Sequence, residues 1–213
     1  VAIHNTVLGP ALGGCRMWNY KSEEEALVDV LRLSRGMTYK AAIAGLNLGG
    51  GKAVIIGDPK KEKSEELFRS FGRFIEGLGG RYITAEDVGT SIKDMDYVRM
   101  ETKYVTGISK SFGGSGDPSI LTAFGTYLGI KASVKYKLKQ DSLDGLSISV
   151  QGLGSVGMEL VKYLANDGMK IFACDIDRDI EKIAKEKYKI LIVESDEIYD
   201  QDVDIYAPCA LGA

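Results

Sequence analysis

One stretch of this 213-residue chain constrains the fold more than any other: residues 146 to 175. They read as a short apolar strand, a GxGxxG motif at 152–157, an amphipathic helix and a second strand, with Asp175 directly after that strand. The glycines of such a motif allow a tight turn, a close approach of the backbone to a pyrophosphate, and contact between helix and strand. The N-terminus of the following helix stabilises the phosphate charge. This order predicts a Rossmann dinucleotide-binding unit.

The acidic residue of this unit indicates which dinucleotide is bound. Asp175 lies 18 residues (175 − 157) after the third glycine of the motif. A carboxylate there accepts a hydrogen bond from the ribose 2′-hydroxyl and repels a 2′-phosphate, which favours NAD. Arg178 lies nearby in the sequence and leaves NADP open. Two further predicted strands, 190–193 and 203–207, continue the alternation of strands and helices.

A second stretch, residues 36 to 56, holds two lysines, Lys40 and Lys52, with no charged residue between them. Lys52 stands between a predicted glycine turn and a predicted buried strand. Lysine is rarely buried unless it is paired, and burial lowers its pKa because it disfavours the charged form. Such a lysine can act as a base near neutral pH. The ordinary alternative, a lysine that starts a strand and reaches solvent, stays open at this point.

The glycines before Lys52 do not form a P-loop. That motif needs a glycine five residues before the Gly-Lys pair and Ser or Thr after it. The chain has Leu46 and Ala53 at those positions. The earlier pair, Gly13 and Gly14, reads as a turn that follows a first strand.

Serine caps predict where three helices begin, at Ser22, Ser64 and Ser91, and Ser22 and Ser91 have an acidic residue three positions later. The first helix should deliver Met37 and Lys40 just past its last turns, because Gly36 ends or loosens it.

Asp87 follows a predicted strand, 81–84. Ligands of α/β sheets bind at the carboxyl ends of the strands, so this position favours a site role. The alternative is that Asp87 caps the next helix, but Ser91 is better placed for that.

Composition and charge narrow the class of partner. The net charge is −3 and no long basic or acidic block occurs, which argues against nucleic acid or an anionic membrane. No apolar run approaches the ~20 residues of a membrane-spanning helix, and no signal peptide is recognisable. The three cysteines are widely separated, so we expect no metal site, no disulfide framework and a reducing cytoplasm.

The Gly/Ser-rich stretch 107–116 is the candidate hinge between two domains. We expect an α/β substrate-binding and catalytic domain at 1–112 and a Rossmann NAD-binding domain at 113–213, with a cleft between them. Strand-like residues lie at both ends of the chain, so further sequence is expected on both sides.

The two parts predict one combined chemistry. The dinucleotide carries the hydride, while the lysines and Asp87 handle an amino or keto acid. One lysine would hold a carboxylate, the other would be a general base toward water, and the aspartate would move the proton of the amine. A hydroxy-acid dehydrogenase is a weaker alternative, because such enzymes usually use a histidine and His4 is the only one.

Seven stretches spread over nearly the whole chain resemble one known family: GPALGGCRMW, RGMTYKAAIAGLNLGGGKAVIIGD, GRYITAEDVGT, VTGIS, GDPSILTAFG, VQGLGSVG and DIYAPCALGA. They are similar to the Glu/Leu/Phe/Val dehydrogenase family. The spacing of the two lysines with the downstream AEDVGT is specific to that family, whereas GxGxxG is not. The resemblance implies a homo-oligomer that converts an L-amino acid, NAD and water reversibly into a 2-oxo acid, ammonium and NADH.

The resemblance implies roles for the residues of the substrate side. Lys52 corresponds to the catalytic lysine that activates water against the iminium intermediate, and Asp87 to the carboxylate that exchanges a proton with the substrate nitrogen. Lys40 corresponds to the lysine that binds the substrate α-carboxylate. The residues that line the same end of the pocket are Gly13, Gly14 and Met37.

On the cofactor side, Thr122 corresponds to the threonine near the nicotinamide amide, and Asp175 keeps the role given above. The pyrophosphate loop corresponds to Gly152, Leu153, Gly154, Ser155, Val156, Gly157 and Met158. No metal is implied.

Leu12 carries the prediction of specificity. Glutamate-specific members of the family have a lysine here that meets the distal carboxylate of the substrate. Leu12 cannot, and a buried unpaired carboxylate is costly. With Ala85 beside it, the pocket should prefer leucine, isoleucine or valine. Phenylalanine or another L-amino acid is the alternative within the family, and a non-catalytic nucleotide-binding fragment is the alternative outside it.

Overall fold

The computed structural model describes residues 1–210, which form two compact units. The first is Val1–Asp117 and the second begins at Pro118. This boundary lies five residues (117 − 112) later than expected and just after the Gly/Ser-rich stretch. Each unit combines helices with a largely parallel sheet, which confirms the predicted α/β class. The cleft expected between the domains stays a prediction.

The first unit is built on a four-stranded sheet with the order β1-β3-β2-β4. Strands β2, β3 and β4 are parallel, and β1 is antiparallel to β3. Its elements are β1 (Ala2–Asn5), β2 (Ala11–Trp18), α1 (Glu23–Ile43), β3 (Gly49–Ile56), α2 (Glu65–Gly77), β4 (Tyr82–Glu86) and α3 (Ile92–Arg99). A 3-10 turn, Lys110–Phe112, follows inside the Gly/Ser-rich stretch. The predicted caps Ser22, Ser64 and Ser91 are confirmed, because each side chain accepts a hydrogen bond from a backbone N–H in the first turn of its helix.

The core of the first unit lies between the sheet and the two helices α2 and α3. Phe68 and Ile75 of α2 pack with Met95 and Val98 of α3, and all four side chains are fully buried. Fully burying a side chain of this size contributes about 1.5–3 kcal/mol relative to leaving it exposed. This core supports the strands that carry the lysine and aspartate of interest.

The glycine pairs and triplets were expected in turns, and this was wrong. Gly13 and Gly14 lie within β2, and Gly49 to Gly51 are the first residues of β3. They are needed because neighbouring backbone and side chains come very close. A Cβ on Gly50 would lie 2.1 Å from the Thr38 backbone nitrogen, and one on Gly51 would lie 2.6 Å from the Tyr82 ring. Because these strand positions carry no side chain, α1 and Tyr82 pack directly on the strand backbone.

Helix α1 also differs from expectation. It passes through Gly36 without a break and ends at Ile43, so Met37 and Lys40 lie in its last turns rather than beyond them. No atom lies within 4 Å of the position that a Cβ on Gly36 would take. The contacts between α1 and the sheet outweigh the helix-weakening effect of one glycine, which is about 1 kcal/mol.

The second unit has four parallel strands in the order β7-β6-β5-β8. Its elements are α4 (Ser119–Leu138), β5 (Ser147–Gln151), α5 (Ser155–Asn166), β6 (Lys170–Cys174), α6 (Arg178–Tyr188), β7 (Leu191–Ile192) and β8 (Ile205–Pro208). Ile148 and Val150 of β5 pack against Leu160 and Leu164 of α5 in a closed apolar core. The strand, glycine turn, helix and strand between residues 146 and 175 are therefore present in the predicted order.

Within residues 1–210 no helix is both long and apolar enough to cross a membrane. The same residues contain no group of three or more His, Cys, Asp or Glu side chains arranged to hold a metal ion.

Candidate active site

Strand register brings Lys52, Gly14 and Ala85 side by side in the first sheet. Gly14 of β2 pairs with Ala85 of β4, and the register of β2 with β3 places Gly14 opposite Lys52. Paired residues of neighbouring strands point to the same face, and successive residues alternate between faces. Asp87 comes two residues after Ala85, just beyond β4, so its side chain returns to the face of Lys52.

Lys52 and Asp87 form a buried ion pair. The Nζ of Lys52 contacts Oδ2 of Asp87, and the two side chains are 7% and 16% exposed. Gly14 makes room for this contact, because a Cβ there would lie 2.7 Å from the Cβ of Asp87. The other oxygen of Asp87 accepts a hydrogen bond of 2.6 Å from the backbone N–H of Val88. A turn of the backbone after β4 therefore aims the carboxylate at the lysine.

Asp87 is not the cap of the helix that follows it, which was the alternative interpretation of this residue. Ser91 caps α3, and Asp94 completes a capping box with it. The backbone N–H of Asp87 donates to the hydroxyl of Thr90 at 2.9 Å, which closes the turn between β4 and α3. The carboxylate of Asp87 is therefore left to face Lys52.

The environment of Lys52 favours the neutral amine. Burial, the larger cause, and the nearby charge of Arg16 lower the pKa of Lys52 from 10.5 to about 8. The positive charge of Lys40 acts in the same direction, whereas Asp29 opposes it. Contact with the Asp87 carboxylate also favours the charged form, as any close opposite charge does. The neutral amine of Lys52 is therefore populated at lower pH than that of an ordinary lysine.

Three residues beside this pair were missed by sequence reasoning. Arg16 of β2 lies 2.9 Å from Asp29 of α1 and 3.9 Å from Asp87, measured from its Nη atoms to carboxylate oxygens. The hydroxyl of Tyr20 donates to Asp29 at 2.6 Å. Had the segment after Gly13 been read as a strand, alternation would have placed Arg16 on the face of Gly14. The misassigned turn hid that signal.

The residues expected to bind the substrate, at its α-carboxylate or its side chain, gather at the same part of the first unit. Leu12 lies two positions before Gly14 in β2, and so on the same face. A Cβ on Gly13 would lie 3.4 Å from the Met37 side chain of α1. Lys40 is exposed on α1, yet its charge reaches Lys52 strongly enough to lower the pKa of that amine. The predicted substrate residues are thus neighbours, with Ala85 at the next strand.

The glycine loop of the second unit has an open, donor-rich geometry. Gly152 has φ +95°, which only glycine adopts readily, and a Cβ on Gly157 would lie 2.0 Å from the carbonyl oxygen of Gly152. At Gly154, by contrast, no atom of the described residues lies within 4 Å of the Cβ position. Helix α5 begins directly after Gly154 without a side-chain cap. Its first N–H groups are therefore not taken up by a capping side chain, as an anion site requires.

The remaining predicted loop residues divide between surface and core. Leu153 is 1% exposed, so only its backbone faces the loop. Val156 and Met158 pack against the core of the second unit, and Ser155 is exposed at the first position of α5. Thr122 lies in the first turn of α4, where its hydroxyl donates to the carbonyl of Pro118 at 2.9 Å.

Asp175 and Arg178 occupy different environments. Asp175 lies just after β6, and its two oxygens accept hydrogen bonds from the backbone N–H groups of Leu153 and Asp177 at 2.6 and 2.9 Å. Arg178 forms ion pairs with Glu181 at 3.0 Å and Glu194 at 2.6 Å. The carboxylate therefore borders the glycine loop, whereas the guanidinium is already occupied by two acids.

The fold and the lysine–aspartate pair point to one class of protein. Residues 1–104 match the family model of the Glu/Leu/Phe/Val dehydrogenase, dimerisation domain. Residues 1–104 thus belong to the Glu/Leu/Phe/Val dehydrogenase family, as predicted. It is similar to the solved L-tryptophan dehydrogenase from Nostoc punctiforme, with a TM-score of 0.74 and 46% identity over 99% of this chain and 59% of that one. It is also similar to the hetero-hexameric glutamate dehydrogenase from Thermus thermophilus, with a TM-score of 0.80 and 25% identity over 97% of this chain and 55% of that one.

Within the family the chain is similar to leucine dehydrogenases. It is 59% identical over 213 residues to that of Bacillus subtilis (strain 168), covering 100% of this chain and 58% of the relative. The phenylalanine dehydrogenase of Lysinibacillus sphaericus is 49% identical over 217 aligned residues, covering 100% of this chain and 57% of the relative. The chain thus spans 58% of the length of the leucine dehydrogenase.

Proposed function

We propose that this protein catalyses the reversible oxidative deamination of a branched-chain aliphatic L-amino acid. The amino acid, NAD⁺ and water give the 2-oxo acid, ammonium, NADH and a proton. The observation that carries the proposal is the buried Lys52 amine with a lowered pKa in contact with the carboxylate of Asp87. A lysine kept partly neutral beside a carboxylate is an acid–base pair, which deamination needs at both the water and the nitrogen.

The residues of this chain divide the proton chemistry among themselves. The exposed ammonium of Lys40 binds the α-carboxylate of the substrate as a point charge. The neutral amine of Lys52 takes a proton from the water that attacks the iminium carbon of the oxidised substrate. Asp87 exchanges a proton with the substrate nitrogen, so that ammonium can leave. The contact between the two side chains lets the proton move from one to the other.

The second unit fits NAD, and we propose that it is a Rossmann domain. Its strand order β7-β6-β5-β8 corresponds to the 3-2-1-4 order of the first half of that fold. The open side of Gly154 and the uncapped start of α5 would hold the pyrophosphate, and Asp175 would accept from the ribose. NAD supplies the hydride acceptor when bound. The ion pairs of Arg178 with Glu181 and Glu194 support NAD over NADP, because a guanidinium held by two acids is not free to bind a 2′-phosphate.

An aliphatic side chain suits the substrate pocket of the first unit. Leu12 and Ala85 are apolar. Leu12 lies in β2, the strand that contains Gly14, and Ala85 lies in the neighbouring strand β4. A distal carboxylate would lose its water here without gaining a cation, which costs several kcal/mol. Identity of 59% to a leucine dehydrogenase against 49% to a phenylalanine dehydrogenase supports the same choice. Phenylalanine is the second candidate, because its relatives cover the same part of the chain.

A homo-oligomer is proposed from the comparisons alone. The matching family model is described as a dimerisation domain. The Thermus thermophilus relative is described as hetero-hexameric.

The test is a substrate panel on the full-length protein, with absorbance of NADH or NADPH as the signal. We expect turnover with leucine, isoleucine and valine, weaker turnover with phenylalanine, none with glutamate, and preference for NAD. No reduction of either cofactor with any of these amino acids would favour the alternative of a non-catalytic nucleotide-binding protein. Turnover of phenylalanine above leucine would move the assignment to the second candidate.

Replacing the proposed base gives a sharper test. Lys52→Ala should lower kcat by ~10²–10⁴-fold, the usual contribution of a general base. Lys61→Ala is the matched control, because the Lys61 side chain is 81% exposed and pairs only with nearby Asp58. If the Lys52 variant keeps turnover within about tenfold of the control, the role proposed for Lys52 is wrong.

A further inference from the structure

Arg16 occupies a position that the proposed mechanism leaves without a role. It follows Gly14 by two residues in β2, so its side chain is on the face of Lys52 and Asp87. Its guanidinium bridges two acids from different elements, with 2.9 Å to Asp29 of α1 and 3.9 Å to Asp87 after β4. The side chain is 20% exposed, which is low for a charged group.

Asp29 holds the guanidinium from the side of α1. The Oδ2 atom of Asp29 accepts from both Arg16 and the Tyr20 hydroxyl, at 2.9 and 2.6 Å. Burial, together with the hydrogen bond to Asp29, raises the pKa of Tyr20, so its hydroxyl stays a donor. Because Asp29 is tied to two partners, Arg16 has a defined position rather than a freely moving charge.

The charges that act on Lys52 come from β2, from α1 and from the residue that follows β4. Arg16 and Lys40 are positive and disfavour the ammonium form, whereas Asp29 favours it, and Asp87 touches the amine. Cys15 stays uncharged, since burial raises the pKa of its thiol to about 12. Arginine keeps its charge at any working pH. Of the two cations, Arg16 exerts the larger effect on Lys52.

We propose that Arg16, anchored by Asp29, is a positioning residue that orients the Asp87 carboxylate toward Lys52 and sets the pH at which Lys52 acts as a base. This rests on the proposed deamination. The guanidinium lies 3.9 Å from Oδ1 of Asp87 and so acts together with the Val88 N–H, which donates to the same oxygen, to leave Oδ2 on the amine. Its fixed charge repels the protonated form of Lys52, so the neutral form persists at lower pH.

The first experiment compares pH profiles of kcat/KM for wild-type, Arg16→Gln and Arg16→Lys protein. Below a certain pH, kcat/KM should fall because Lys52 becomes protonated; we call this part of the profile the acid limb. Arg16→Gln removes the positive charge, so the acid limb should move up by about half a pH unit or more. Arg16→Lys keeps the charge and should leave the limb in place. It should nevertheless lower kcat, because an ammonium cannot bridge both acids as the planar guanidinium does. Arg73→Gln, whose side chain is 58% exposed on α2, is the matched control and should change neither.

A second variant has the opposite predicted sign. Asp29→Asn removes a charge that favours the protonated lysine, so the acid limb should move down while kcat falls through loss of the anchor. Opposite shifts in Arg16→Gln and Asp29→Asn support the inference. If all variants lose thermal stability and kcat with the limb unmoved, Arg16 is only structural and the inference is wrong.

Direct titration of Lys52 separates this inference from the proposed function. Competitive acetylation with acetic anhydride across pH, followed by peptide mapping, reports the fraction of Lys52 that is neutral without requiring turnover. The midpoint should rise in Arg16→Gln and not in Arg73→Gln. An unchanged midpoint overturns the inference even if the enzyme deaminates leucine. A shifted midpoint in a protein that turns over no amino acid would leave the link between Arg16 and Lys52 standing and reject the function.

Discussion

The proposed role of Lys52 as a base depends on where a single strand places it. Its side chain is 7% exposed, and it touches Asp87 across the gap that Gly14 leaves. Burial alone would make the amine neutral and inert, whereas a carboxylate partner alone would keep it charged. In this site burial and the charge of Arg16 lower the pKa of Lys52 to about 8.

The pH dependence of turnover follows from this balance. Under the proposed mechanism of deamination, the neutral amine is the active form, and it is populated above the lowered pKa of Lys52, about 8. We expect kcat/KM to rise with pH through that value and then level off, when measured by NADH formation with leucine. A rise centred near the ordinary lysine value, about 10.4, would contradict the tuning of Lys52.

Gly14 is predicted to tolerate no side chain. Gly14→Ala would push a Cβ to within 2.7 Å of the Asp87 Cβ and 2.6 Å of the Glu86 carbonyl. Overpacking of this kind costs about 1–3 kcal/mol of stability. Displacement of Asp87 by about 1 Å should also lower kcat about 10²-fold. Circular dichroism melting and steady-state kinetics would measure the two effects.

Gly36→Ala is the control, since nothing lies within 4 Å of that Cβ position in α1. It should raise stability by about 0.5–1 kcal/mol, because alanine suits a helix interior better than glycine. If Gly14→Ala kept both full activity and full stability, the packing of Asp87 against Gly14 would be wrong.

At the scale of elements, the glycines at the turn between β5 and α5 differ in what surrounds them. Gly157 is required for packing, because its Cβ would lie 2.0 Å from the carbonyl of Gly152. Gly154 has free space beside it and an ordinary negative φ of −62°. The described part of the chain leaves this space open, which suits the close approach of a pyrophosphate proposed above.

That contrast predicts a separation of stability from binding. Gly154→Ala should leave the melting temperature unchanged and weaken NADH binding about tenfold or more, which corresponds to about 1.4 kcal/mol. Gly157→Ala should lower the melting temperature. Gly125→Ala in α4, with no described atom within 4 Å of its Cβ, should leave NADH binding unchanged and, like Gly36→Ala, should not lower the melting temperature. Calorimetric titration with NADH checks binding, and normal affinity in Gly154→Ala would reject the proposed pyrophosphate position.

At the scale of the whole molecule, each unit has its own closed core, one under the first sheet and one around β5 and α5. The segment just before the boundary, 107–116, is rich in glycine, and Phe112 within it is 52% exposed. Exposed chain with few backbone partners is where proteases cut folded proteins.

Limited chymotrypsin digestion of the full-length protein should therefore cut first after Phe112. The fragment that starts there should bind NADH, and the fragment that ends there should not, because the glycine loop lies beyond the cut. Mass spectrometry would locate the cut and fluorescence of NADH would measure binding. First cuts inside α4 or β5 would contradict the division into two units.

Much of the local structure was predictable because its causes are local. Ser22, Ser64 and Ser91 cap helices through backbone groups within one turn, so neighbouring residues suffice to predict them. The glycine motif at 152–157 follows from φ requirements and contacts inside one strand–turn–helix unit. Gly13–Gly14 and Gly49–Gly51 were misread because their reason is distant packing, which a one-dimensional pattern does not contain.

By itself, the sequence determined the starts of three helices, the strand–helix–strand succession around the glycine motif, and the residue types Lys52 and Asp87, but it missed strand β2. Only the tertiary structure decided that these two side chains touch, because their contact depends on the register of strands that are 35 residues (87 − 52) apart in the chain. It also decided that Arg16 joins them from the middle strand. Side-chain identity is local information, whereas proximity and the pKa it produces arise from strand pairing and burial.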